Sequence, residues 1–508
     1  MDTDGNRRRS RRPILWSVGA LSSVLAVVAI GAGSAAAHGG ATTGSQPGAA
    51  VPTWAAVALG LALAALVVAL IDRRVALGGA RATRAVGGVA VVLLAGGLLV
   101  AVVGATGVGL PGSGPDPATE TPLWVSDTGR DIGGNHHAPA IHEGRVYAPV
   151  SGPGTAAGCE LVALHGADGG VVWRAPVETN CTIHAVADPA VADADGDGVE
   201  EVLVATTEED LRVYGRDGDL VRRGTLADYG YTRPAVTDLG GGEGPETVVV
   251  DVRGTVFAFG ADGTEVWRHS LDAYVWARPV AGAVDGDGSG EVFVAPRDGR
   301  LTLLSGPERS GGNATVEWST VVGDDPGVSW LTSGQADADP ARELVVATVD
   351  GGVYAVDGAT GEVEWNRTVD SLASVGGFGD GDGDGASEVY VADHTGTVRA
   401  LDAATGEEEW TTRVTDGPVQ MMPPPALGDT DGDGSPDLIV PAHDGRVSKL
   451  DPVDGHVVAR YERSLDSAAS DRGRDRIFAR ATLGDVDDDG DDDAVVIYAD
   501  GTVVALDF

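Results

Sequence analysis

An acidic loop followed by a short β-rich run returns seven times between residues 193 and 497, and this repetition constrains the fold more than any other feature of the chain. The four fullest copies place Asp at loop positions one, three and five. They are Asp193, Asp195 and Asp197; Asp380, Asp382 and Asp384; Asp429, Asp431 and Asp433; and Asp485, Asp487 and Asp489. Each has an acid at position nine (Glu201, Glu388, Asp437, Asp493) and then enters a run such as Val202-Leu203-Val204 or Ala494-Val495-Val496-Ile497. Three weaker copies keep the frame. One has Asp285, Asp287 and Glu291, with Ala283 at position one. Another has Asp337, Asp339 and Glu343, with Gln335 at position one. The last keeps only Asp238 and Glu246.

The loops start at 193, 238, 283, 335, 380, 429 and 485, so successive starts differ by 45, 45, 52, 45, 49 and 56 residues. That period is the length of one four-stranded propeller blade. A second element follows each loop: a strand, a tight Gly turn, a strand, an Asp-x-x-Thr/Asp-Gly turn, and a strand carrying Trp. Val353 to Trp365 and Val398 to Trp410 are the cleanest copies, and Val256 to Trp267 and Leu161 to Trp173 are further ones. Gly supplies the positive φ of such turns, and alternating β-branched residues suit strands packed face to face. The second element occurs eight times, because a first copy around Val146 to Trp173 precedes the acidic loops. The last copy stops at Phe508, before its Trp strand, and an unpaired strand containing Trp124 can supply the missing outer strand. Such a closure joins the ends of the ring and covers an edge. The expected fold is therefore all-β: an eight-bladed β-propeller over residues 120–508, its four-stranded blades averaging about 49 residues, with an N-terminal strand closing the last blade.

The Gly-Val-Tyr-Ala-Val-Asp-x-x-Thr-Gly-x-x-x-Trp pattern at residues 352–365 resembles the repeat of quinoprotein-like, pyrroloquinoline-quinone-type eight-bladed propellers. The Asp-x-Asp-Gly-Asp-Gly loops resemble the FG-GAP/VCBS repeats of integrin α-subunit propellers. Trp stands four residues after the turn Gly at Trp173, Trp267, Trp365 and Trp410, and Trp318 ends a longer version; Arg222 and Ala459 take its place in two blades. The first resemblance implies a quinone cofactor as an alternative. The quinoprotein dehydrogenases pair adjacent cysteines near that cofactor, and this chain has no adjacent cysteines and no C-x-x-C-H haem motif.

Calcium is the expected metal of the acidic loops, because it takes six to eight oxygen ligands. Carboxylates at positions one, three, five and nine would supply them, with the position-seven carbonyls of Val199, Ala386, Ser435 and Asp491. The helices and position-twelve Glu of an EF-hand are absent. The loops at Asp285 and Asp337 are expected to bind more weakly, and the one at Asp238 reads as a solvated turn. The role expected of the metal is structural, since clustered carboxylates repel one another without a cation.

Ahead of the repeats, residues 13–37, 52–71 and 85–110 are apolar runs long enough to cross a bilayer as helices. Arg7 to Arg12 precede the first run, and Arg73, Arg74, Arg81 and Arg84 lie between the second and third. The positive-inside rule then puts residues 1–12 in the cytoplasm and everything after residue 110 outside. A cleaved signal peptide ending near Ala35 to Ala37 is the rival for the first run, with the same outcome for the repeats. Residues 111–119 read as a linker.

Acidic residues outnumber basic ones 76 to 35, for a net charge of −41, and Lys449 is the sole lysine. Such a surface suits a halophilic, haloarchaeal source and excludes a nucleic-acid partner. Cys159 and Cys181 flank one expected hairpin and are expected to pair outside the cell. Asn180, Asn313 and Asn366 begin glycosylation sequons. His136, His137 and His142 lie close in sequence; loop histidines are preferred there to a transition-metal site. No G-x-S-x-G, P-loop or H-E-x-x-H motif is present, so no catalytic residue is assigned. The expected function is a membrane-anchored, cell-surface binding or scaffold module for an extracellular protein, glycan or small ligand. A quinone-dependent dehydrogenase and a purely structural envelope protein are the alternatives.

Overall fold

The chain divides into two compact units, Met1–Gly114 and Pro115–Phe508. The structure, a computed structural model, describes residues 117–508 apart from 153–157, 179–180, 241–243, 308–311, 325 and 464–472. The membrane spans expected over 13–37, 52–71 and 85–110, and the basic stretch before them, lie outside the described residues. Among the described residues no helix is long and apolar enough to cross a membrane.

The eight expected blades are present as eight separate sheets. Their innermost strands are Ala140–His142, Ala190–Ala192, Ala235–Thr237, Val280–Gly282, Val328–Gly334, Ser374–Gly379, Ala426–Gly428 and Thr482–Gly484. Three antiparallel strands follow outward in sequence order, except in the last blade. There, Trp124–Val125 pairs antiparallel with Val503–Leu506 as the fourth strand, which is the closure the unpaired Trp124 segment implies. The first innermost strand touches the last, and Thr482 Oγ1 donates to the Pro139 carbonyl at 2.8 Å across that junction.

One pairing was not legible. Ala118–Thr119, within the stretch read as linker, runs parallel to Val457–Glu462 and adds a fifth strand to the seventh blade. It pairs with Ala459, the residue that replaces Trp in that blade. A small side chain there leaves the outer edge open to another strand.

The core consists of eight apolar layers, each between two neighbouring blades. The second strands, such as Glu201–Ala205, Glu388–Ala392 and Asp493–Ile497, are buried along their whole length because both faces meet another blade. This explains their unbroken apolar runs, where a strand with one wet face would alternate.

The repeated Trp is the link between blades. Trp173 packs on the turn at Gly218, Trp318 on Gly361, Trp365 on Gly406 and Trp410 on Gly455, each time one blade onward. Each indole N–H donates to a carbonyl of that next turn: Arg216 at 3.0 Å, Gly358 at 2.8 Å, Ala403 at 2.8 Å and Pro452 at 2.6 Å. The turn residue must be Gly for two reasons. Its φ is positive, and a Cβ at Gly406 would sit 2.6 Å from the Trp365 ring. Trp124 docks the same way on Gly169 and donates to the Gly166 carbonyl, so the closing strand also ties the last blade to the first.

Candidate functional site

Strands alternate in direction within a blade, so the acidic loops and the Asp-x-x-Thr/Asp-Gly turns share one face of the ring. The segments that lead into each innermost strand share the opposite face.

On the first face the fullest loops adopt one geometry. The position-one carboxylate accepts the amides of positions four and six: Gly196 at 2.7 Å and Gly198 at 2.9 Å on Asp193, Gly383 at 2.7 Å and Gly385 at 3.1 Å on Asp380, and Asp488 at 2.7 Å and Gly490 at 3.1 Å on Asp485. The loop at Asp429 keeps the second of these bonds, from Gly434 at 2.9 Å. Val199, Ala386, Ser435 and Asp491, at position seven, donate their amides to the position-five carboxylate. The oxygens of Asp193, Asp195 and Asp197 lie within 4.8 Å of one another, as do those of Asp285, Asp287 and Glu291. Asp337 and Asp339 are exposed, and Gln335 donates to their backbone carbonyls.

The position-nine acid is buried in all seven loops and accepts the amide of position two, at Glu246 in the poorest loop as well as at Glu388. It therefore shapes the loop whatever the ligand set. Burial pushes the Glu388 and Asp493 carboxyls up to about 7, reinforced by Glu409, Asp382 and Asp380 around the first and by Asp487, Asp489 and Asp507 around the second. Glu388 is fully buried, and its Oε1 has no hydrogen-bond partner among the described residues. A calcium ion would neutralise this oxygen, and the oxygen-only donor set suits it.

The four full loops are not equivalent. Arg222 reaches Asp195 and, at 3.1 Å, Glu201. Lys449 lies 2.8 Å from both Asp431 and Asp437. Two loops thus hold an internal cation against their acids, whereas no ion pair reaches the carboxylates of the loops at Asp380 and Asp485 among the described residues.

On the opposite face a cavity of about 670 Å³ lies on the ring axis, lined by segments of all eight blades. Pro139, Pro189, Pro234, Pro279 and Pro425 each precede an innermost strand. Proline fixes φ and holds the residue before it extended. Ala138, Asp188, Arg233, Arg278 and Pro424 therefore share one register around the mouth, and Arg480 takes that place in the last blade. Two residues earlier stand Tyr231, Trp276 and Phe478, also lining the cavity. Arg297 stacks on Trp276 at 3.6 Å.

Arg233, Arg278 and Arg480 have no ion-pair or hydrogen-bond partner among the described residues. Burial lowers all three. Arg278 falls to about 10 with repulsion from Arg233 adding to burial, and Arg480 is also lowered, by burial first and by repulsion from Arg278 and Arg233. Asp188 is the one acid among the described residues that line the cavity beside them. Burial acts to raise it, but hydrogen bonding to His137, the charges of His137 and Arg480, and the Ala138 amide together hold it low.

Beside Asp188 three histidines meet. His136 and His137 come from the segment leading into the first blade, and His184 from the one leading into the second. His142 is not among them; it ends the first innermost strand, 3.6 Å from Glu200. Burial takes His136 down to about 3 and His184 to about 4, with like-charge repulsion from His137 acting on both.

Sequence reasoning missed the arginines and His184. A signal was present: aromatic-x-Arg recurs before three innermost strands, as Tyr231-Thr-Arg233, Trp276-Ala-Arg278 and Phe478-Ala-Arg480. Among the other assigned residues, Cys159 and Cys181 form a disulfide with Cα atoms 5.0 Å apart. Asn313 and Asn366 are exposed, and Asn180 lies outside the described residues.

Eight blades, seven of four strands and one of five, with an N-terminal strand completing the last, define a β-propeller. The family described as outer membrane protein assembly factor BamB (PQQ_2) matches residues 215–380 and 374–508, more than half of the chain, and the chain belongs to this family. Among solved structures, BamB from Moraxella catarrhalis is similar at 18% identity with a TM-score of 0.54, over 77% of this chain and 98% of that one. The computationally designed Ika8 protein is similar at 16% identity and a TM-score of 0.52, over 76% and 99%. The C-terminal WD40 domain of Sif2 is similar at 15% identity and 0.52, over 78% and 99%. These three share the fold. No curated protein matches the chain.

Proposed function

We propose that the chain is a membrane-anchored, extracytoplasmic binding and scaffold module whose ligand site is the arginine-lined mouth of the central channel. The observation that carries this reading is the trio Arg233, Arg278 and Arg480, unpaired among the described residues, in a chain of net charge −41 where acids to pair them are abundant elsewhere. Three guanidiniums against one Asp188 leave a local positive excess, and Arg presents a planar fork suited to carboxylate or phosphate. Tyr231, Trp276 and Phe478 offer an apolar body something to stack on. The ligand is thus an organic anion or an acidic segment of an extracellular protein partner. The family's description as an assembly factor favours a scaffold over an enzyme.

Calcium in the FG-GAP-like loops stiffens the opposite face, and the acidic, lysine-poor surface fits a halophilic source. The apolar runs before residue 111 supply the anchor. A second reading has the same arginines and aromatics holding an acidic quinone cofactor. The test is calorimetric titration of the full chain, in calcium and high salt, with citrate and with pyrroloquinoline quinone, for wild type and for Arg278→Gln/Arg480→Gln. Citrate binding that the double variant loses at least tenfold supports the anion site. Quinone binding with substrate-dependent dye reduction replaces the scaffold with a dehydrogenase. No binding of either anion by folded protein leaves a structural envelope protein.

A further inference from the structure

The three histidines at the channel mouth are too well oriented to be ordinary packing. His136 Nδ1 lies 2.8 Å from the Gly134 carbonyl, which can only accept, so that nitrogen carries the proton. His137 Nδ1 lies 2.9 Å from Asp188 Oδ1, a carboxylate that also accepts. In both neutral rings the lone pair is therefore on Nε2. His137 Nε2 is buried and has no partner among the described residues, and the same is true of His184 Nδ1. The residue itself is 3% exposed at His137. One ring nitrogen from each of His136, His137 and His184 can be chosen so that all three lie within 4.8 Å of one another.

We propose that His136, His137 and His184 form a three-imidazole site for a divalent transition metal ion of the zinc class, opening into the central channel. Three nitrogens bound to one zinc ion at about 2.1 Å would stand roughly 3.4 Å apart, so modest side-chain rotation completes the set. Aromatic packing alone, with His136 and His184 edge to face at 4.7 Å, leaves the buried nitrogens of His137 and His184 unsatisfied. A metal taken up at those two nitrogens would satisfy both. Imidazoles suit zinc, copper and nickel, whereas the oxygen-only loops on the other face suit calcium, so the two kinds of site do not compete.

Asp188 and the Gly134 carbonyl are the outer partners that fix tautomer and ring direction, the arrangement seen around metal-bound histidines generally. Asp188 also offsets the nearby arginines, which would otherwise repel a cation. Three protein ligands leave one tetrahedral position free. His136 and His137 line the cavity, so the site opens toward the channel, and the Tyr231 hydroxyl, 3.4 Å from His136 Nε2, would give up its hydrogen bond to that nitrogen when a metal binds. The site stands on its own geometry and does not depend on which anion the arginines take.

The experiment is titration of the full chain, freed of metal and then saturated with calcium, with Zn²⁺ by calorimetry and with Co²⁺ by visible absorption. One zinc per chain and a tetrahedral cobalt spectrum are expected. His184→Ala should weaken zinc binding at least about 100-fold, Asp188→Asn by about 10–100-fold, and His142→Ala should leave it unchanged. Folded wild type that takes up no zinc, or His184→Ala that binds as wild type does, overturns the site. Zinc X-ray absorption on the unsubstituted protein reads the ligands even where a variant fails to fold: a three-imidazole shell supports the site, and a shell of oxygens alone overturns it.

Discussion

Trp124 is the residue on which ring closure should depend most. Its strand is only two residues long, Trp124–Val125, so its few backbone bonds cannot hold the last blade to the first. The indole packs against the Gly169 turn and joins the apolar layer of Val146, Val162, Val495 and Val503. Truncating a buried Trp to Ala costs about 3–5 kcal/mol. Trp124→Phe keeps most of that packing but leaves the Gly166 carbonyl without its donor, a loss of about 1–3 kcal/mol. With an unfolding entropy of about 2.1 cal/mol/K per residue, the propeller of residues 117–508 has a total near 0.8 kcal/mol/K. Trp124→Ala should then lower Tm by roughly 4–6 °C and Trp124→Phe by roughly 1–4 °C, with cooperativity retained. Differential scanning calorimetry measures both. Trypsin should also cut the alanine variant at Arg130 faster, because the N-terminal strand detaches more often. A Trp124→Ala protein that melts within about 1 °C of wild type would refute the closure.

Calcium removal should destabilise the ring, and the loops should differ: Asp380→Asn is expected to abolish more of the chelator-sensitive Tm than Asp193→Asn, because Arg222 already sits against Asp195 and Glu201. A site kept at 100 times its Kd contributes about 2.7 kcal/mol, so equal losses from the two variants would count against this ranking. Reducing Cys159–Cys181, whose partners are 22 residues apart, should cost roughly 3 kcal/mol and show as a lower Tm with reductant that Cys159→Ser/Cys181→Ser does not show. His443 is buried against Phe478 and held down to about 4, by burial first and by the Arg476 charge second. Its folded value lies below its unfolded value near 6.5, so its contribution is complete above pH 6.5 and lost as pH falls through that window to about 4. The loss is of order 2–3 kcal/mol, and His443→Gln should flatten that part of the stability curve measured by urea unfolding.

Blade number, strand order and closure could be read from the sequence because each is written more than once. The acidic loop, the turn Gly and the Trp recur in register, and the single copy that lacks its outer strand at Phe508 points back to Trp124. The fifth strand at Ala118–Thr119 has no repeat to announce it; it depends on an edge left open at Ala459, which is a property of the folded blade. The acidic loops were legible as carboxylate clusters, but the cations Arg222 and Lys449 come from other strands of the same blades and enter only through packing. The channel site was hidden for a related reason. His184 stands 47 residues after His137, and only the ring places the segments before two innermost strands side by side. His142 is nearer in sequence, yet it lies at the far end of its strand.

The two faces of the ring therefore divide the chemistry. Strand direction alone sends every acidic loop to one face and every residue that precedes an innermost strand to the other. A chain of net charge −41 repels an anion at long range, yet the arginines lie within the channel. In dilute salt that repulsion extends over tens of ångströms, whereas near 1 M salt the screening length falls to about 3 Å. An anion then meets the arginines chiefly through direct guanidinium contacts, which salt weakens least because they are partly shielded from water. High salt thus removes the penalty of the acidic surface while sparing the short-range bonds. On the proposed reading, the same composition that keeps the surface hydrated would let a small basic site inside it select an acidic ligand.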